Sequence, residues 1–171
     1  MKLDNAIKTA LEYEAGVHKI YRQAMDKTID PAAKRVFRVL CKEEMEHLKY
    51  LQERLEEWQK TGKVVAKKLG TSIPVRAAID NSLKDLQRTI KPKRTKQIPE
   101  LELLKKALDA EIKASNFYKE MAAKLDGEGQ ELFKRFVEIE EGHEAIVRAE
   151  INTVGNWGFW FDTAEFNLEM E

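Results

Sequence analysis

The sequence has a single cysteine, Cys41. A lone thiol cannot close a disulfide within the chain, and no Cys-x-x-Cys pair is present to grip a metal. That fits a reducing compartment. Positive charge is not in excess either: 30 Lys and Arg balance 30 Asp and Glu, and no basic stripe runs along any segment, which argues against nucleic acid as a partner. The one basic patch, Lys91 to Lys96, is short, contains Pro92 and reads as a solvated loop. No uninterrupted apolar stretch approaches the ~20 residues that cross a bilayer. Met1-Lys2-Leu3-Asp4-Asn5 has no apolar run of signal-peptide type, so the expected location is cytoplasmic. Proline and glycine are scarce, at four and eight. What remains, 43% hydrophobic and 35% charged residues over 171 positions, suits one helical domain with charged outer faces.

The apolar residues recur every three or four positions, the signature of helices with one buried face. Residues 3–27 carry the stripe Ile7, Ala10, Glu14, Val17, Tyr21, Ala24, with Glu12 off it and solvated. Asp30-Pro31 opens a second helix to about Gln59, closed by Gly62, with Ala33, Phe37, Leu40, Glu44, His47, Leu51, Leu55 and Trp58 facing inward. Residues 61–98 differ: a polar, Lys-rich connection holds a shorter helix between Ser72, as cap, and Ile90. Such a connection is too long for a hairpin. It crosses the length of a bundle, which makes the helices on either side of it parallel. Pro99 opens the next helix, with stripe Leu104, Leu108, Glu111, Ser115, Tyr118, Ala122, Leu125. Asp126-Gly127-Glu128-Gly129 breaks it, and a last helix to about Val154 turns Phe133, Phe136, Glu140, His143, Val147 and Val154 inward. Residues 155–171 form a non-helical tail whose aromatics, Trp157, Phe159, Trp160, Phe161 and Phe166, pack on the bundle or, as the second choice, on another subunit. The chain is thus all-α: hairpin 1 at about 3–60, crossover at about 61–98, hairpin 2 at about 99–154, tail at 155–171.

The two hairpins repeat each other. The second glutamate follows the first by 30 residues in one half (Glu14 to Glu44) and by 29 in the other (Glu111 to Glu140). Each first Glu has a Tyr seven residues on, Tyr21 and Tyr118, and each second Glu has a His three residues on, His47 and His143. On a helix that last spacing puts both side chains on one face, one turn apart. Six polar groups on inward stripes would be severely destabilising without partners, and four adjacent carboxylates would repel one another. Two divalent cations remove both difficulties. Carboxylate oxygen with one imidazole per ion is a fairly hard ligand set suited to Fe or Mn, and two Glu plus two Glu-x-x-His matches the general plan of di-iron and di-manganese bundles.

Around the site, Cys41 is expected to be a small core residue, since its repeat counterpart is Val137. His18 sits beside the stripe and is expected to be solvated or to support the ligands. Glu43, Glu46, Glu141 and Glu144 are expected to be solvated or salt-bridged.

Leu11-Glu12-Tyr13-Glu14 through Tyr21, Glu44-Met45-Glu46-His47, Glu111 through Tyr118, and Glu140-Glu141-Gly142-His143 resemble the ferritin-like di-iron superfamily, most closely the rubrerythrins. The resemblance covers roughly 3–60 and 99–154. It implies a ferritin-like four-helix bundle holding two iron ions, with Mn or Zn able to substitute. Glu14, Glu44 and His47 would bind one ion and Glu111, Glu140 and His143 the other, Glu44 and Glu140 bridging, with Tyr21 and Tyr118 as hydrogen-bond donors behind the ligands. Rubrerythrins typically add a rubredoxin domain with two Cys-x-x-Cys pairs, which this sequence does not contain, so electrons would come from an external rubredoxin-like donor. They also carry a Glu where this chain has Ala114, and usually a carboxylate where it has His143. The ligand set here is the symmetric one, closer to bacterioferritin. The expected activity is reduction of hydrogen peroxide or dioxygen. The alternatives are ferroxidase or iron-handling activity, or a non-catalytic metal-binding bundle. The expected assembly is a homodimer or larger homo-oligomer.

Overall fold

The computed structural model of the chain describes residues 1–93 and 98–161. Its helices are α1 (Leu3–Lys27), α2 (Pro31–Thr61), α3 (Arg76–Thr89), α4 (Pro99–Lys124) and α5 (Gly127–Trp157). No strand occurs among the described residues. The helix starts follow local chemistry. The Asp30 carboxylate accepts a hydrogen bond from the Ala33 N–H at 2.9 Å, with Pro31 at the first helical position, a cap of about 1 kcal/mol. Pro99 opens α4 without a side-chain cap, with Glu100 and Glu102 in the first turn where the helix dipole favours acids. Gly62 and Gly158 end α2 and α5 at φ 69° and 74°, a left-handed turn that costs glycine little.

Three boundaries differ from expectation. Ser72 does not cap α3; the helix begins at Arg76 after Val75, and the Ser72 hydroxyl is occupied elsewhere. The second hairpin turn is only Leu125 and Asp126, because Gly127 and Gly129 are absorbed into the start of α5. The last helix runs to Trp157, so residues 155–157 are helical rather than tail; Gly155 is carried through and Gly158 supplies the stop. Beyond it Trp160 and Phe161 are buried, Trp160 edge-on to Phe37 at 6.1 Å, and the Phe161 N–H donates to Glu150 at 2.8 Å. The start of the tail therefore packs on the bundle. Phe166 and the rest of the tail, and residues 94–97 of the basic patch, lie outside the described residues.

Helices α1 and α2 form one hairpin, α4 and α5 the other, α1 against α4 joins them, and α3 lies along α5. Contacts fix the directions. Glu14 meets Tyr118 while Tyr21, two turns on, meets Glu111, so α1 and α4 are antiparallel. With α1 and α2 also antiparallel, α2 and α4 run parallel, as a bundle-length crossover requires. The core falls into two apolar clusters separated by a polar layer. Tyr21, Phe37, Leu40, Leu104 and Val147 lie in one cluster, and Ile7, Leu51, Tyr118, Phe133 and Phe136 in the other. On every bundle helix a residue from each cluster brackets the polar position: Ala10 and Val17 on α1, Leu40 and Leu51 on α2, Ala107 and Ala114 on α4, Phe136 and Val147 on α5.

The crossover binds both α2 and α5. Tyr50 of α2 donates to the Lys67 carbonyl at 2.7 Å, Arg135 of α5 donates twice to the Leu69 carbonyl at 2.9 and 2.8 Å, and Arg76 pairs with Glu144 at 3.1 Å. Side chains from both helices thus hold residues 67–76.

Candidate metal centre

All six of Glu14, Glu44, His47, Glu111, Glu140 and His143 are fully buried, and they converge in the polar layer. The inward stripes put them there: each lies on the helix face whose other members form the core. The contacts mirror the repeat. Tyr21 donates to Glu111, and its counterpart Tyr118 donates to Glu14. Glu44 Oε1 lies 2.9 Å from His143 Nδ1, and Glu140 Oε1 lies 3.4 Å from His47 Nδ1. The imidazole rings themselves stack at 5.1 Å and 13°. Such pairings, exchanged term by term, place the two halves about an approximate twofold relation.

Electrostatics in this layer are frustrated. Burial and the negative charges of Glu14 and Glu111 push the Glu44 carboxyl up to about 7, with His47 opposing. Burial, Glu14, Glu111 and Glu44 hold Glu140 well above the carboxylate range. For His47 burial disfavours the charged ring, but Glu44 and Glu14 outweigh it and raise the imidazole to about 10. His143 moves up likewise, against burial, through Glu43 and Glu44. Glu14 alone of these carboxyls is lowered, because His47 and further hydrogen bonds overcome its burial. Without another cation, the layer favours extra bound protons.

The donor set fits metal ions on a second ground. Both oxygens of Glu44 and of Glu140, Glu111 Oε2, His47 Nε2 and both nitrogens of His143 are buried and make no hydrogen bond of good geometry among the described residues, even where Glu44 Oε1 and His143 Nδ1 lie 2.9 Å apart. Native proteins rarely leave so many buried polar atoms orphaned in one place. One donor atom each from Glu44, His47, Glu140 and His143 lie within 4.8 Å of one another, close enough to share an ion. Glu14 and Glu111 flank this group and are the carboxylates that the tyrosines hold. Burial and Glu111 push the Tyr21 hydroxyl well above its ordinary range, and burial and Glu14 do the same to Tyr118, so both remain hydrogen donors.

Among the flanking residues, Glu43 has partners that its place off the stripe does not suggest. Glu43 is half-buried, and its ion-pair contact is with His143 rather than with a surface Lys or Arg. Its carboxylate accepts from the Thr71 hydroxyl at 2.5 Å, the Ser72 N–H at 3.0 Å and the Ser72 hydroxyl at 2.6 Å, and lies 3.5 Å from His143 Nε2. Burial opposes its charge, but those contacts hold it well below the usual carboxylate range. The sequence gives no sign of this, because it depends on the path of the crossover. Glu46 is exposed, Glu141 pairs with Lys119 at 3.2 Å, and Glu144 is mostly buried between Arg76 and Arg148. Cys41 and Val137 are both half-buried at the core edge, and His18 is half-buried beside Arg22 and Cys41. Among the described residues no helix is long and apolar enough to cross a membrane.

Comparison with known proteins bears on the second hairpin. The rubrerythrin family model matches residues 102–156, which takes in Glu111, Tyr118, Glu140 and His143. Neither the comparison with curated proteins nor that with solved structures found a match. The chain is therefore an all-α, ferritin-like bundle similar to the rubrerythrins, matched by that family's model in its second hairpin and repeating the same polar pattern in its first.

Proposed function

We propose that the protein is a di-iron carboxylate oxidoreductase of rubrerythrin-like type. Glu14, Glu44, His47, Glu111, Glu140 and His143 hold two iron ions, and the site reduces hydrogen peroxide or dioxygen with electrons from an external rubredoxin-like donor. The observation that carries this reading is the mirrored set of buried carboxylates and imidazoles whose donor atoms face one another without partners. When bound, a pair of iron ions supplies the two electrons that an O–O bond takes up; manganese or zinc can occupy the same donors, and zinc would bring no redox chemistry.

The chain's own groups account for the rest. Four carboxylates offset four positive charges, so the loaded layer is neutral where the empty one is strained. Tyr21 and Tyr118 hold one oxygen of Glu111 and of Glu14, which orients the remaining oxygen. Because the six residues are sealed from solvent, the site favours the smallest substrates, and peroxide and dioxygen qualify. Reduction of peroxide to two waters consumes two protons, and the buried tyrosine hydroxyls are the nearest protic groups to the carboxylates they touch.

A second reading has an observation behind it. Ala114 is buried where rubrerythrins carry an additional Glu, and the two halves contribute identical donor sets. A symmetric site is equally suited to oxidising Fe(II) as substrate, for storage or detoxification, and a storage role requires a cage-like multimer. Anaerobic loading with Fe(II), followed by mixing with hydrogen peroxide and separately with dioxygen under stopped-flow absorption, separates these readings. We expect two iron ions per chain and faster oxidation by peroxide. Faster oxidation by dioxygen with mineral formation, in a large multimer by solution mass, would assign the ferroxidase role instead. Fewer than two ions per chain would overturn both.

A further inference from the structure

The six ligand residues and the two tyrosines match between the halves, but the residue beside one ligand does not. The residue before the second glutamate is Glu43 in the first half and Ile139 in the second. Glu43 faces His143 across the bundle: its Oε2 is 3.5 Å from Nε2, the nitrogen on the far side of the ring from Glu44. That distance is outside ordinary hydrogen-bond length, but the carboxylate is fixed in place by Thr71 and Ser72. His47 has nothing comparable. Its ion-pair contacts run through Nδ1, its Nε2 has no partner among the described residues, and Phe136 packs edge-on against the ring at 5.4 Å.

The crossover explains why the difference falls on this side. Its residues 71–76 are stitched down at three points around His143. Thr71 and Ser72 bind Glu43, the Pro74 carbonyl sits so close to Gly142 that a Cβ there would lie 2.9 Å from it, and Arg76 reaches Glu144. Gly142 and Glu144 are the immediate neighbours of His143 in sequence. The first-half counterpart of Gly142 is Glu46, which is exposed.

Resting on the metal-pair reading above, we propose that Glu43 is a positioning residue that makes the two metal positions unequal. It fixes the His143 ring with Nδ1 free for the metal and strengthens that nitrogen as a donor, so the His143 position fills first and holds its ion more tightly than the His47 position. A carboxylate behind a ligating imidazole fixes its tautomer and raises its basicity, and loss of such a partner typically costs about 10–100-fold in metal affinity. The crossover, by anchoring Glu43, is the segment that sets this difference.

Anaerobic titration of the metal-free full chain with Co(II), followed by visible absorption and calorimetry, tests this. We expect two separable steps in the unaltered protein. His143→Ala removes the tight step and His47→Ala the weak one. Glu43→Gln weakens the tight step by about tenfold or more and draws the two together. The pair Thr71→Val and Ser72→Ala, which leaves Glu43 held only by the backbone N–H of residue 72, shifts the same step in the same direction. Placed on His143→Ala, Glu43→Gln has no further effect on the remaining step, which a general loss of folding would not produce. Two ions bound with equal affinity, or a tight step that survives Glu43→Gln unchanged, would overturn the proposal and leave the metal-pair reading intact. Fewer than two ions on the unaltered chain would overturn that reading, and the proposal with it.

Discussion

His47 and His143 stack ring on ring, 5.1 Å apart and 13° from parallel, in a layer that water does not reach. They belong to opposite hairpins, and both are drawn toward the protonated form by the carboxylates around them. Glu14 lies 2.9 Å from the His47 ring and Glu44 2.9 Å from the His143 ring, which offsets charge on the stacked pair. In the metal-free protein the layer favours bound protons where cations fit.

The first prediction is a pH dependence. His47 is raised from 6.5 to about 10, so its stabilising contribution is complete below about pH 6.5 and is lost as pH rises through 10. Glu44, raised from 4.5 to about 7, acts in the same sense: the folded state keeps a proton that the unfolded chain releases, and stability falls as pH climbs between those values. His18, lowered by burial and Arg22, opposes the trend only below about pH 6.5. Chelator-treated protein should therefore melt at a lower temperature near pH 9.5 than near pH 7, as followed by circular dichroism. Metal binding must displace the same protons, so metal affinity should run the other way and increase with pH.

Replacing Glu140 by Gln should separate stability from metal binding. In the metal-free protein burial and the neighbouring carboxylates hold Glu140 well above the carboxylate range, which favours its uncharged form, so a neutral amide of the same shape alters little. We expect a change within about 1 kcal/mol in the metal-free state and loss of most of the rise in melting temperature that metal produces. A large drop in metal-free stability would mean that Glu140 is chiefly a structural residue.

The approximate twofold relation predicts matched effects at the tyrosines. Tyr118→Phe strands a buried oxygen of Glu14 and Tyr21→Phe one of Glu111. Each should cost about 1–3 kcal/mol in urea denaturation of the metal-free protein. Because both bonds belong to one network, the double variant should depart measurably from the sum of the two. Strongly unequal costs would show that the tyrosine contacts do not share the symmetry of the sequence repeat.

Gly142→Ala tests the seating of the crossover. The added Cβ would lie 2.9 Å from the Pro74 carbonyl, a backbone atom that cannot step aside alone. A loss of about 1–3 kcal/mol is expected, with faster hydrogen exchange in residues 67–76 than in α1 or α4. Unchanged exchange there would mean that the crossover is not held at this point.

Much of this was readable from one dimension. The stripes on α1, α2, α4 and α5 named the core, because helical period alone decides which side chains share a face. The repeat named Glu14, Glu44, His47, Glu111, Glu140 and His143, because buried charge recurring at equal spacing has few physical explanations. Glu43 was not readable. It lies one residue off the stripe, where a carboxylate is ordinarily solvated, and it is half-buried with its oxygens occupied because residues 71–72 pass over it. Ser72 has the residue type of a helix cap but donates its hydroxyl to Glu43 instead, and α3 begins at Arg76. The tail's first aromatics were legible as apolar residues in need of cover, but that α5 would continue to Trp157 depended on Trp157 finding a buried place.

The sequence by itself determined the helices, the duplicated polar pattern and the exclusion of disulfide and Cys-based metal chemistry, since these follow from residue type and local period. Only the tertiary structure decided that the hairpins meet with α1 against α4, that each tyrosine holds the other hairpin's glutamate, and that one histidine has a carboxylate behind it while its twin has none. Those are contacts between segments far apart in the chain, and they depend on how a crossover with no strong pattern of its own is fastened to the bundle.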